Sequence, residues 1–167
     1  MASTIKVDEI LDSQGNQFDG SQLGNVGKVL QVVHYSDTTN RSTASAVWVD
    51  TGISWSFSPT LSNSRIIFNF SMAFALDDQV QFGNARMLVN GVERVKTAPT
   101  QGYSFSGRDE STFTKTIEHQ CTSLSPVVVT FDFACADATI YMNRPPRMAS
   151  GYADVFTSAM TAMEIGA

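Results

Sequence analysis

The chain has 167 residues, room for one domain with a single core, and 43% of them are apolar. Lys and Arg total 11 against 16 Asp and Glu, a net charge of −5 with the cations scattered singly. A surface that grips phosphate backbones needs clustered positive charge, so nucleic acid is excluded as a partner.

The first stretch, residues 1–27, carries Gly15, Gly20, Gly24 and Gly27 among Asn, Gln, Asp and Ser, with few apolar positions. It cannot bury enough surface to fold alone and reads as an arm ordered against something else. Ile5, Val7, Ile10 and Leu11 are its available anchors. The opening has no basic start and no long apolar stretch, so no signal peptide is expected. No run approaches the roughly 18 apolar residues that a membrane helix needs, so membrane insertion is not expected. A boundary near Gly27 divides the arm from a folded region, residues 28–167.

From there the pattern has period two. Val29 to Val33 is a first apolar strand run, followed by a polar connection over 36–45. Ile53, Trp55 and Phe57 alternate with serines and stop at Pro59. The clearest strand follows: Ile66, Phe68, Phe70, Met72, Phe74 and Leu76 share one parity, which places them on one face. Met87, Leu88 and Val89 run into Asn90-Gly91, a dipeptide that accepts the positive φ angles of a tight hairpin turn. Polar connections are expected over 77–81, 99–109 and 144–154, and weaker strands over 111–118, 139–143 and 158–165. Val127, Val129, Phe131 and Phe133 form another one-sided set. Eight to ten short strands joined by turns, with no 3.6-residue periodicity, give an all-β sandwich or barrel.

Chemistry is poorly represented. Cys121 and Cys135 match no zinc or redox spacing. Cys135 reads as a small buried hydrophobe, and whether the two are bonded is open. His34 and His119 lie at strand ends without further ligands nearby in sequence, so no metal site and no cofactor is expected. The acidic pairs Asp77-Asp78 and Asp109-Glu110 fall in expected loops and read as solvated charge. No Gly-x-Ser-x-Gly elbow occurs. No catalytic residue is assigned, and the chain is not expected to be an enzyme. One loop mixes aromatics with a cation: Tyr103, Phe105 and Arg108 form a possible recognition loop, since Tyr and Arg favour interfaces.

The order of segments resembles small tail-fibre-like virion proteins of phages of marine and freshwater bacteria, the cyanophage type. The similarity lies in Ser3-Thr4-Ile5-Lys6-Val7-Asp8, in Gly27-Lys28-Val29-Leu30-Gln31-Val32-Val33, and in Trp48-Val49-Asp50-Thr51-Gly52-Ile53 running on to Ser58-Pro59. It continues through Ser64-Arg65-Ile66-Ile67, Ile140-Tyr141-Met142-Asn143-Arg144 and Ala162-Met163-Glu164-Ile165. Each motif is short, but together they span nearly the whole chain. The resemblance implies a jelly-roll-like antiparallel β-sandwich, trimeric, with an extended N-terminal arm attached to the particle. The chain has no long shaft between arm and sandwich, so a short tail fibre or appendage, an adaptor or a surface decoration is expected. Its partners would be two further copies of itself and other virion proteins of tail or head. It would be made in the host bacterial cytoplasm and located on the virion. A host surface glycan is the alternative partner, met through Tyr103, Phe105 and Arg108.

Overall fold

The computed structural model describes residues 27–76, 82–101, 109–136, 138–144 and 156–166. They form ten strands: β1 (Val29–Asp37), β2 (Arg41–Thr43), β3 (Val49–Phe57), β4 (Arg65–Leu76), β5 (Phe82–Val89), β6 (Val92–Gln101), β7 (Asp109–Gln120), β8 (Val127–Cys135), β9 (Ile140–Met142) and β10 (Ser158–Ile165). All the pairings are antiparallel and fall into two sheets.

In the first sheet β4 is central. β7 pairs with its whole length on one side. On the other side β10 covers 65–71 and β9 covers 74–76, so these two lie end to end. β1 pairs with β10, and β2 with β9, which makes β2 a continuation of the same edge. The second sheet runs β3, β8, β5, β6. The pairings β1 with β10, β3 with β8, β4 with β7 and β5 with β6 are nested, like one long hairpin rolled about itself. That wiring is a jelly roll, and it settles sandwich over barrel.

The core lies between the sheets and is built by parity. Ile66, Phe68, Phe70, Met72, Phe74 and Leu76 of β4 are each at most 1% exposed. Val127, Val129, Phe131 and Phe133 face them from β8, and Ile53, Trp55 and Phe57 from β3. Phe70 stands at the centre, edge-on to Phe113 at 5.0 Å and to Phe131 at 5.3 Å. These are preferred aromatic geometries. Tyr35 of β1 stacks on Trp55 and donates a 2.6 Å hydrogen bond to the Ser56 carbonyl, closing the sandwich where β1 and β3 meet.

The Asn90-Gly91 turn forms as expected, with φ angles of 51° and 76°. The Asn90 side-chain oxygen accepts from the Val128 N–H at 2.8 Å, which ties the hairpin to β8. Gly52 sits at φ 73° in an irregularity of β3 between Asp50 and Ser54, where a Cβ would be strained.

Three sequence expectations change. The connection over 36–45 contains the end of β1 and all of β2, because β9 offers a backbone ladder that asks nothing of the side chains. Asp109 and Glu110 begin β7 and do not sit in a loop; their backbone pairs with Leu76 and Ala75. β6 runs through Pro99 to Gln101, a position tolerable on an edge strand where the missing N–H breaks no inner ladder.

Candidate functional site on the outer sheet faces

The expected anchors Ile5, Val7, Ile10 and Leu11, and the expected recognition residues Tyr103, Phe105 and Arg108, lie outside the described residues. Other chemistry-bearing groups of the described residues are placed as follows. His34 is exposed on β1, its Nδ1 3.3 Å from the Thr161 hydroxyl. His119 is half-buried on β7, and desolvation together with the nearby Arg94 lowers its pKa. Cys121 and Cys135 are both buried thiols. Burial pushes the Cys121 thiol up and the charge of Glu164 adds to that, against a hydrogen bond from Ser64, so it is not primed as a thiolate nucleophile. Among the described residues no three of His, Cys, Asp and Glu come together to hold a metal ion.

Two buried polar networks are committed to structure. Glu164 is fully buried and points inward from β10. Its carboxylate accepts from the Ser64 hydroxyl at 2.6 Å, Gln31 Nε2 at 2.7 Å, the Thr60 hydroxyl at 2.9 Å, and the N–H groups of Thr60 and Leu61 at 2.9 and 3.0 Å. Burial alone would raise its pKa; these donors reverse that and hold it at about 2. Its role is to fasten the β3–β4 connection to β10. At the other end Asn143, at φ 59°, donates to the Asp37 carbonyl and carboxylate at 2.9 Å each and accepts from Ser158 at 2.6 Å. Asp37 also pairs with Arg41.

Among the described residues, the outer sheet faces are the broad surfaces open to a partner. On the first sheet four rows cross from β1 through β10 and β4 to β7: Val29, Ile165, Arg65 and Gln120; Val32, Met163, Ile67 and Glu118; His34, Thr161, Asn69 and Thr116; Ser36, Ala159, Ser71 and Thr114. The only full charges in these rows, Arg65 and Glu118, stand 3.7 Å apart and offset each other. Val29, Val32, Met163, Ile165 and Ile67 form one apolar corner, with Val29 and Val32 53% and 54% exposed.

The outer face of the second sheet is the opposite in character. One row runs Asp50, Asp132, Arg86 and Lys96. Arg86 reaches Asp132 at 2.6 and 2.8 Å and Glu93 at 3.2 Å. Trp48, just before β3, lies against both cations, with Arg86 Cζ 4.7 Å and Lys96 Nζ 5.0 Å from the ring centroid. An aromatic ring among paired charges offers stacking and hydrogen bonding to a polar ligand.

Sequence reasoning missed the apolar corner. Its signal is the pair of adjacent apolar residues at Val32-Val33 and Ile66-Ile67, which places apolar groups on both faces of a strand that otherwise alternates.

No family model matches the sequence, and no curated protein matches it. Among solved structures, the chain is similar in outline to a subviral particle of infectious bursal disease virus VP2, with 12% identity, a TM-score of 0.44, and 98% of this chain and 37% of that one covered. A structure of the Gt strain of the same virus gives 12% identity, 0.40, and 99% and 43% covered. Dimeric latent PorU from Porphyromonas gingivalis gives 6%, 0.42, and 85% and 14%. The chain thus spans less than half of each of these proteins. At these scores the likeness is confined to the general run of the strands, and the fold rests on this chain's own pairings.

Proposed function

We propose that this chain is a non-enzymatic structural protein of a bacteriophage particle, working as a homotrimer in a short tail appendage, an adaptor or a surface decoration. The observation that carries the reading is the outer face of the first sheet, which pairs a jelly-roll scaffold with a four-strand surface of no net charge and an exposed apolar corner. Adjoining apolar residues on an open sheet face suit a contact with another protein surface, and a structural role needs a surface of this kind where an enzyme needs a cleft. The resemblance of the sequence motifs to small tail-fibre-like virion proteins supports the same reading. The arm before Gly27 docks on a neighbouring virion protein of head or tail, with Ile5, Val7, Ile10 and Leu11 as its anchors. Light scattering at micromolar concentration tests the assembly: a mass of three 18.2 kDa chains is expected, and a monomer at every concentration contradicts it.

A second reading is recognition of a host surface glycan. Trp48 beside the Arg86–Asp132 pair favours it, since a ring face and paired polar groups suit a sugar's C–H face and hydroxyls. Retention on a glycan array, lost in Trp48→Ala, would support this reading; an array without signal would remove it.

A further inference from the structure

We infer that the apolar corner of β1 and β10 is the surface through which copies of this chain meet about a threefold axis, so that their Gly27 residues are gathered at one end of the assembly. The inference rests on the trimeric reading and adds to it the contact surface and the orientation.

In the corner the strongly exposed Val29 and Val32 adjoin the half-buried Met163, Ile165 and Ile67. Val32 lies directly opposite Met163, and Met163 opposite Ile67. Val29 lies opposite Ile165 in the next row. The other strongly exposed members, Val47, Val92 and Leu124, stand singly in or beside connections. Scattered apolar residues need no explanation, whereas a contiguous set spread over three strands does.

Charge selects the occupant. A second copy carries the same net charge of −5, so two copies repel wherever carboxylates face each other. This face imposes no such cost, because Arg65 and Glu118 are already paired and the neighbouring positions are Thr, Ser, Ala, Asn and His34. Lys28 flanks the corner with a positive charge. The outer row of the other sheet, Asp50, Asp132, Arg86 and Lys96 with Glu93 beside Arg86, carries full charges that contact with a copy would have to desolvate. β1 is also an edge: no described strand lies beyond it, and over its nine residues it carries neither Lys nor Pro to discourage pairing. A neighbouring copy covers both the corner and the edge.

The placement of the chain ends gives the contact a consequence. The Gly27 N–H donates to the Gly166 carbonyl at 2.7 Å, and the Gly166 N–H to the Lys28 carbonyl at 2.9 Å. Gly27, the first described residue, therefore sits beside this corner. Three copies meeting here bring their Gly27 residues together, which raises the effective concentration of the anchors Ile5, Val7, Ile10 and Leu11.

The test uses the intact chain and two substitutions of solvent-facing residues, Val32→Asp and Met163→Asp. Both should fall from three chains to one at micromolar concentration while keeping the strand signature in circular dichroism. Leu124→Asp, an exposed apolar position elsewhere, should stay trimeric. As a second readout that needs no destabilised contact, Val32→Cys should form a disulfide-linked dimer on mild oxidation, because equivalent residues face one axis, and Leu124→Cys should not. A trimer that survives Val32→Asp with no Val32→Cys cross-link overturns the inference and leaves the trimeric reading standing. The same pattern with residues 1–26 newly open to protease would show instead that the chain's own arm covers the corner, which also overturns it. A monomeric intact chain overturns the trimeric reading and this inference together.

Discussion

The two outer faces of the sandwich share a backbone pattern and a core, yet they expose opposite chemistry. On the first sheet the four outward rows are apolar or polar and hold no Asp, Glu, Lys or Arg beyond one ion pair. On the second they carry a row of Asp50, Asp132, Arg86 and Lys96, with Trp48 laid against the cations. The inner faces do not explain the difference, since both present close-packed Phe, Met and Ile. Folding asks only that one parity be apolar, and the other parity is left to answer to solvent and partners. In this chain one face suits burial against a like-charged copy, and the other suits water or a polar ligand.

The largest expected effect comes from the core on which both faces depend. Phe70→Ala should lower stability by about 3–5 kcal/mol, because Phe113 and Phe131 both pack against the ring and cannot fully close the space. Chemical denaturation measures this, and a small change would mean that the two faces do not share one packed core.

Next comes Glu164, which holds the β3–β4 connection beneath the apolar corner. Its folded pKa of about 2 lies below the ordinary 4.5, so its contribution is fully present above pH 4.5 and is lost as the pH falls towards 2. Glu164→Gln should cost about 1–3 kcal/mol at neutral pH, since its NH2 group confronts donors from Thr60, Leu61 and Ser64. It should also flatten the acid limb of the stability profile. An unchanged limb would assign acid sensitivity to other carboxylates.

Trp48→Ala should cost about 1 kcal/mol, the scale of exposed cation–aromatic contacts, and leave the oligomeric mass untouched. A loss of trimer in this variant would reverse the roles given to the two faces. Smallest of all, Ser71→Ala on the uncharged face should fall within about 0.5 kcal/mol. A cost equal to that of Phe70→Ala would mean that β4 is assigned to the wrong parity.

The strands with uniform large residues on one parity were legible in the sequence. β4 is the clearest case, and β10 falls at its expected bounds of 158–165. The Asn90-Gly91 hairpin was legible because its φ angles are local requirements. β2 was not, since Arg41, Ser42 and Thr43 pair only because β9 lies beside them, roughly a hundred residues away in sequence. Periodicity alone left sandwich and barrel open for the same reason, as nested pairings are long-range facts; the jelly-roll sandwich was expected from the resemblance of the motifs. The apolar corner assembles Val32, Ile67 and Met163 from three distant strands, and their adjacency depends on a register that periodicity does not specify.

The central claim is that this chain is a building part of a phage particle, attached through residues before Gly27. Its most direct test is quantification in purified virions, comparing the intact chain with one lacking residues 2–26. The account predicts that the intact chain is present in a multiple of three copies per particle. It predicts that the shortened chain keeps its thermal midpoint, because residues 2–26 are polar and Gly-rich with few apolar positions, but is missing from the particles. Particles that lack the intact chain, or that take up the shortened one at the same level, would contradict it.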